Sequence, residues 1–316
     1  MENKQKDFLR EAKKNKKDEF YTQLIDIERE LQYYENQFKG QTVLCNCDDA
    51  TKSNFYKYFV DNFEKLGLKK LISVCYKTHK DENGYYYEYS GSEKEKRYPN
   101  KEDMTKLAGD GDFRSKESIA FLEEADVVVT NPPFSLFREY VAQLVEYDKK
   151  YLIIGNVNAI TYKNIFELLK HDKAWLGVNL GRGISGFVVP NHYELYGTET
   201  QVDKNENQII SPNNCLWLTN LDNYRKHEEL VLTKQYNGNE DLYEQYDNYD
   251  GINVNKTKDI PCDYKGAMGV PITFMHKFNP DQFEIIKFRK GNDEKDLRIN
   301  GKCPYFRILV RNKKAV

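Results

Sequence analysis

No cysteines or histidines in this sequence are arranged to hold a metal. The six cysteines are Cys45, Cys47, Cys75, Cys215, Cys262 and Cys303; no two form a C-x-x-C pair, and none of the five histidines lies at zinc-ligand spacing from them. That excludes a zinc finger and a thioredoxin-type redox motif. No apolar run approaches the ~20 residues of a membrane span, and no stretch reads as a signal peptide. The expectation is a soluble, cytoplasmic protein in a reducing compartment, with no metal and no membrane partner. Charge of one sign is also missing. A formal balance of −2 over 316 residues excludes a globally basic nucleic-acid coat. There are no internal repeats and no low-complexity tract.

What charge there is lies unevenly. Residues 1–17 hold seven Lys/Arg against three Asp/Glu, residues 287–314 ten against three, and residues 220–260 five against nine. Basic ends on a neutral chain permit a phosphate-facing surface, although any single run also suits a solvated face. The 24 tyrosines suit stacking surfaces and ordinary cores alike.

One stretch organises the rest, Asp126-Val-Val-Val-Thr-Asn-Pro-Pro-Phe134. Val127 to Val129 are an unbroken β-branched run, suited to a strand buried on both faces of a parallel sheet. Asn131-Pro132-Pro133-Phe134 stops it, and Ser135 is placed to cap a helix to about Tyr147. Two prolines fix two φ angles and remove two donors, and Asn131 is held extended before them. The loop therefore offers an amide, carbonyls without competing N–H groups and an aromatic face. An exocyclic amino group would fit it; a Pro-Pro loop that merely ends a strand fits the same four letters.

The chain around it alternates strands and helices. Leu24, Ile27, Leu31, Tyr34 and Phe38 predict one helix ended by Gly40, and Thr42 to Asp49 a strand and polar turn. Ser53 caps a helix with Phe55, Phe59 and Phe63 on one face. Leu71–Tyr76 is a strand, 77–101 a hairpin-like insertion, and 118–124 a short helix. Strands at 151–155 and 175–180 flank a helix at 161–171. This rhythm predicts an α/β fold with a doubly wound sheet. From about Asn191 loops lengthen, and short strands are expected at 271–276, 283–288 and 305–310, with a turn at Asn300-Gly301. The division expected is a basic arm over 1–17, a catalytic domain over 18–190 and a more irregular region over 191–316.

Two further loops carry chemistry. Gly109-Asp-Gly-Asp-Phe-Arg114 holds Asp110 and Asp112 beside Phe113. Paired carboxylates serve as acid and base, bind a metal, or meet a nucleoside's amino and hydroxyl groups; a plain Asp-Gly turn is the bland alternative. Cys45-Asn46-Cys47-Asp48-Asp49 ends the first strand without a G-x-G, so phosphate cradling there is unsupported and a cofactor without phosphates fits better. The two cysteines also suit small core positions.

Together with Asp18-Glu-Phe-Tyr-Thr-Gln23, Leu180-Gly-Arg-Gly-Ile-Ser-Gly186, Ile252-Asn-Val-Asn-Lys-Thr-Lys-Asp-Ile-Pro261 and Gly269-Val-Pro-Ile-Thr-Phe274, these segments carry a resemblance. The chain resembles the EcoRI-type adenine-specific DNA methyltransferases along nearly all its length. The resemblance implies a Rossmann-like sheet, S-adenosyl-L-methionine as cofactor, double-stranded DNA as partner, and in-line methyl transfer to adenine N6 without a metal. By it, Asn131 and Pro132 hold the amino group, Pro133 stiffens the loop, and Phe134 stacks on a flipped base. Phe20, Tyr21 and Thr22 border the cofactor's methionine part; Cys45, Asn46, Cys47 and Asp48 form the turn beside it; Asp110, Asp112 and Phe113 face its nucleoside, with Asn131 adjoining. The turn departs from the superfamily's Phe-x-Gly-x-Gly, and Cys75-Tyr76 stands where an acidic ribose ligand is expected.

Sequence choice is expected in the carboxy-terminal region. Arg182, Asn213, Asn214, Asn253, Asn255 and Lys256 are residue types that read base edges or phosphates, and each also suits a turn or a solvated surface. The resemblance suggests the duplex site GAATTC and a cognate restriction endonuclease sharing that site without a stable complex. Asn-Pro-Pro-aromatic loops also serve methylation of RNA or of glutamine side chains, and a non-catalytic DNA-binding relative is the alternative from another class.

Overall fold

A computed structural model describes residues 21–78, 80–181, 184–189, 200–202, 206, 208–210, 214–289, 297–304 and 306–316. The basic lead over 1–17 lies outside the described residues. The strands in chain order are β1 (Tyr21–Thr22), β2 (Thr42–Cys45), β3 (Lys70–Cys75), β4 (Tyr85–Tyr89), β5 (Thr105–Lys106), β6 (Val127–Thr130), β7 (Lys150–Asn156) and β8 (Trp175–Leu176). They continue with β9 (Phe187–Val189), β10 (Thr200–Val202), β11 (Gln208–Ile210), β12 (Cys215–Thr219), β13 (Gly251–Asn253), β14 (Ala267–Pro271), β15 (Phe283–Arg289) and β16 (Arg307–Asn312). The chain divides into two compact units, 1–159 with 177–222, and 160–176 with 223–316.

The first unit is mixed α/β, built on a large mixed sheet. Its strands lie in the order β5-β4-β3-β2-β6-β7-β12. β2 is parallel to both β3 and β6, and β6 to β7; β4, β5 and β12 join antiparallel. All residues of β2 and β6 are buried, which explains why both read as continuous apolar runs. The chain leaves β2 for β3 on one flank and returns to β6 on the other. Strand order therefore reverses between β2 and β6, the kind of point beyond whose carboxyl ends open α/β sheets bind ligands. The predicted insertion is a real extension of this sheet: β4 pairs with β3 from Tyr85–Cys75 to Tyr89–Leu71.

Beside the large sheet, β1, β9, β11 and β10 form a smaller antiparallel one, with Thr22 opposite Phe187. The second unit contains a sheet ordered β13-β14-β16-β15, on which the Lys163–Lys170 helix sets Phe166 5.5 Å from Phe288. The Asn300-Gly301 turn stands as expected, with φ of 50° and 72° and a bridge between Ile299 and Lys302.

Several expectations need correction. The first described helix covers only Leu24–Leu31, and a 3₁₀ turn at Glu35–Gln37 follows. Its predicted face is nonetheless buried through Tyr34 and Phe38. The Gln32 amide donates to the Arg29 carbonyl (2.8 Å), occupying one of the groups left open at the helix end. The strand expected over 175–180 stops at Leu176, because the Val178 and Asn179 amides both donate to the buried Glu30 carboxylate at 2.7 Å. Gly177 permits that approach; a Cβ there would lie 2.4 Å from Glu30 Oε1. The strand expected over 271–276 ends at Pro271, which has no N–H to continue the ladder, and Ile272–Lys277 is 3₁₀. After the Pro-Pro loop, Phe134–Leu136 forms a 3₁₀ turn closed by Leu136 N–H on the Pro133 carbonyl (3.0 Å). The helix proper is Phe137–Glu146, with Leu136 rather than Ser135 at its N-cap.

Ser53 does cap the Asn54–Asp61 helix. Its Oγ accepts from Phe55 N (3.0 Å) and Tyr56 N (3.4 Å) while donating to Asp48 (2.6 Å). Ser53→Ala should therefore cost about 1–2 kcal/mol, the upper range for an N-cap. Urea unfolding checks this, and an unchanged midpoint would contradict it.

Candidate functional site

The Asn131-Pro132-Pro133-Phe134 loop leaves the carboxyl end of β6, beside the end of β2. The Asn131 Nδ2 donates to Thr22 Oγ1 (3.4 Å), and the Thr22 carbonyl accepts from Asn54 Nδ2 (2.8 Å). Thr22 is itself buried. Its neighbour across the ribbon, Phe187, meets the Phe134 ring edge-to-face at 6.1 Å and 79°. The β1–β9 ribbon thus braces both ends of the loop. Phe134 is half-buried, with one side supported by the core.

That ribbon is held in turn by carboxylates on the Leu24–Leu31 helix. Asp26 accepts from the Ser185 amide (3.0 Å) and hydroxyl (2.8 Å), while Glu30 accepts from Tyr34 OH (2.8 Å) and from the Val178 and Asn179 amides. Burial holds both carboxyls above their usual range, and these hydrogen bonds offset only part of that rise.

The turn after β2 faces the loop. Cys45 is fully buried and Cys47 half-buried; burial first, then the Asp48 charge, push both thiols up, so they are inert neutral groups. The Asn46 side chain is 2 % exposed, and its Oδ1 accepts from Tyr140 OH. Its Nδ2 is buried and has no hydrogen-bond partner within the protein. A buried donor of that kind calls for a partner, from an ordered water to a bound group. Asp48 departs from the expected outward-facing carboxylate: its oxygens accept from Ser53 Oγ and from Thr130 Oγ1 (2.5 Å), pointing it into the fold. Burial lifts its carboxyl to about 6 against the downward pull of those hydroxyls, and Asp49 adds to the rise.

The acidic loop is pinned to the end of β3. Lys77 N–H donates to the Asp110 carbonyl (2.8 Å) and Gly84 N–H to the Gly109 carbonyl (2.9 Å). Gly111 has φ +79°, and a Cβ on it would stand 2.4 Å from the Cys75 carbonyl. Only glycine fits there. Phe113 is buried and meets the Tyr140 ring at 5.0 Å and 70°. Tyr140 therefore joins the acidic loop to Asn46. Asp112 is half-buried and pairs with Arg114 through both oxygens (2.9 and 2.7 Å), which holds its carboxyl below the usual range. Arg114 also reaches Glu139 at 3.0 Å.

So the fold gathers Tyr21, Thr22, Cys45–Asp48, Asp110–Phe113 and Asn131–Phe134 around one crevice of the first unit. Sequence reading missed Thr130, Tyr140 and Phe187; only Thr130, the lone hydroxyl after three valines, left a signal. Phe20, Arg182 and Asn213 lie outside the described residues. Asn214 is in the first unit, its carbonyl accepting from Val157 N–H (2.6 Å). The other three are in the second unit. Asn253 is buried, its Oδ1 taken by Tyr246 OH (3.1 Å) and Arg307 Nε (2.9 Å) and its Nδ2 by Glu244 and Asn255. Asn255 and Lys256 are exposed, with Arg307 donating to Asn255 Oδ1 at 2.9 Å. Among the described residues no cluster of His, Cys, Asp and Glu could hold a metal ion, and no helix is long and apolar enough to cross a membrane.

A family model described as adenine-specific methyltransferase EcoRI matches residues 8–313. The chain is 64 % identical over 314 residues to type II methyltransferase M.EcoRI of Escherichia coli, covering 97 % of this chain and 96 % of that one. It is 40 % identical to type II methyltransferase M.MpnI of Mycoplasma pneumoniae, over 98 % of this chain and 99 % of the relative. Against M.MgeORF184P of Mycoplasma genitalium the identity is 36 %, over 95 % and 97 %. No solved structure matches. With a family model covering nearly the whole chain and relatives aligned end to end, the chain belongs to the EcoRI family of adenine-specific methyltransferases.

Proposed function

We propose that this chain is a site-specific DNA adenine-N6 methyltransferase that uses S-adenosyl-L-methionine. The observation that carries the reading is the Asn-Pro-Pro-Phe loop on the diverging carboxyl end of β6, braced through Thr22 and Phe187. The reversal between β2 and β6 supports a doubly wound, Rossmann-like methyltransferase sheet, whose ligands bind at such a point.

The crevice fits the cofactor. Asn46 Nδ2 is a buried donor awaiting an acceptor, Asp110 and Asp112 supply acceptors for amino and hydroxyl groups, and Phe113 supplies an apolar wall. Tyr21 and Thr22 close the side toward Asn131. S-adenosyl-L-methionine bound there supplies an electrophilic methyl group on a sulfonium sulfur.

The chain's own work is on the adenine. An aromatic amine is a weak nucleophile because its lone pair is delocalised into the ring. Asn131 Oδ1 and the Pro132 carbonyl accept hydrogen bonds from its two N–H groups, which localises the lone pair and stabilises the positive charge developing on nitrogen until one of these protons leaves to solvent. Pro132 and Pro133 present no N–H that could compete. The target atom is out of reach inside a duplex, so the base is flipped, and stacking on Phe134 offsets part of the unpairing.

The proposed target is duplex GAATTC, after the EcoRI name of the family and of the Escherichia coli relative. Reading of that sequence is assigned to the 191–316 region, with Arg182 and Asn213–Asn214 contributing and with Asn255 and Lys256 as its exposed polar groups; Asn253 shapes Asn255 from inside. A restriction endonuclease sharing the site is the proposed companion, without a stable complex. Six unbridged cysteines suit a cytoplasmic setting.

Asn131→Ala should abolish methyl transfer while leaving cofactor affinity within about tenfold. Transfer of radiolabelled methyl to duplex DNA measures it, and near-normal turnover would refute the assignment. Phe134→Ala should lower the flipped population and the transfer rate together by about 10- to 100-fold, equivalent to about 1–3 kcal/mol of stacking. Because Phe134 also packs on Phe187, a thermal melt is read beside 2-aminopurine fluorescence at the target base; a lowered melt with unchanged flipping would leave only a packing role. Transfer should proceed equally in excess EDTA, and restoration of activity by added Mg²⁺ would turn the acidic loop into a metal site.

A further inference from the structure

β2 and β6 pair through Val43–Val127 and Leu44–Val128, and there their pairing ends. Beyond that point the two strands part around the crevice. Asp48 bridges the gap. Its amide donates to the Val74 carbonyl (3.0 Å) and its carbonyl accepts from Ser73 Oγ (2.6 Å), so β3 fixes its backbone on both sides. Its carboxylate accepts from Ser53 Oγ, the cap of the Asn54–Asp61 helix, and from Thr130 Oγ1, the last residue of β6. Asp48, Ser53, Ser73 and Thr130 are all buried. Thr130 is covalently joined to Asn131. The Asp48–Thr130 bond is thus a direct tie between the turn after β2 and the root of the Asn-Pro-Pro-Phe loop.

We propose that Asp48, acting through the Thr130 hydroxyl, is a positioning residue for methyl transfer, fixing where Asn131 stands relative to the turn after β2 without touching substrate or cofactor. This rests on the reading of Asn131 as the acceptor of the amino protons. The hydroxyl is the one part of Thr130 that the strand does not need: valine would fill the same β-branched volume and continue the run from Val127. Its loss would leave β6 paired with β7 through Thr130–Ile153, so the sheet persists while the tie across the crevice is gone. Alignment errors of about an ångström are enough to lower a transfer rate about a hundredfold.

The test compares Thr130→Val and Thr130→Ser in single-turnover transfer to duplex DNA, with cofactor affinity and thermal melt measured on each. Thr130→Val should transfer about 10- to 100-fold more slowly, while cofactor affinity stays within about threefold of wild type. Thr130→Ser, which keeps the hydroxyl and loses a buried methyl, should recover most of the rate even where its melt is lower. Three results overturn the proposal: Thr130→Val as fast as wild type, Thr130→Ser as slow as Thr130→Val, or affinity falling in step with rate, which would put Asp48 in the cofactor pocket. Should Thr130→Val fail to fold, Thr130→Ala provides the same split, since it too removes the hydroxyl that donates to Asp48; an unchanged rate there overturns it equally. Asn131→Ala run alongside separates the two claims. If it is inactive while Thr130→Val is fast, only the positioning role fails; if it is active, the acceptor reading fails first.

Discussion

The structure turns on the parting of β2 and β6. Two parallel strands paired only through Val43–Val127 and Leu44–Val128 must separate, because the chain leaves them on opposite flanks of the sheet. Around their carboxyl ends lie several buried polar groups, among them Asn46, Asp48, Ser53 and Thr130. Each such group costs about 1–3 kcal/mol if left without a partner. The fold answers with side chains from distant segments: Asp48 reaches Thr130, Tyr140 reaches Asn46, and Asn131 reaches Thr22. Among the described residues, Asn46 Nδ2 is one of the buried polar atoms left without a partner inside the protein.

Buried carboxylates do most of this work. An unsupported carboxylate in the interior is costly enough to stay protonated, and burial does push Asp26, Glu30 and Asp48 upward. Each is compensated by several donors, many of them backbone amides, so each acts as a strut. Glu30 holds Val178 and Asn179, and Asp26 holds Ser185, two residues before Phe187, which meets Phe134. The surface pairs contrast with them. Arg311–Glu284 is well exposed and contributes about 0–1 kcal/mol. Arg114 sits between these cases: its pairing with Asp112 keeps that carboxylate ionised at the rim of the crevice.

What the sequence disclosed and what it hid divide along one line. Val127–Val129, the Ser53 cap and the Asn300-Gly301 turn were legible because periodicity, capping and turn chemistry are local; Phe63, expected on one helix face with Phe55 and Phe59, instead opens a separate short helix, Phe63–Leu66. The crevice's position followed from the Asn-Pro-Pro-Phe loop ending a buried strand. Helix and strand lengths were misjudged where a distant carboxylate diverts backbone donors, as Glu30 does at Val178 and Asn179, 148 and 149 residues away. Asp48 was read as facing a cofactor because its turn stands in the right place. Its partner Thr130 is 82 residues downstream, and no pattern in the letters joins them. Asn253 has the composition of a base reader and the surroundings of a core residue, a distinction only burial makes.

Single-molecule sequencing of plasmid prepared without adenine methylation, then incubated with the purified chain and S-adenosyl-L-methionine, tests the central claim most directly. The account predicts N6-methyladenine in one short duplex sequence, GAATTC, on both strands and nowhere else. Methyl groups on cytosine would contradict it. So would DNA left bare while RNA or protein in the same reaction takes up the label.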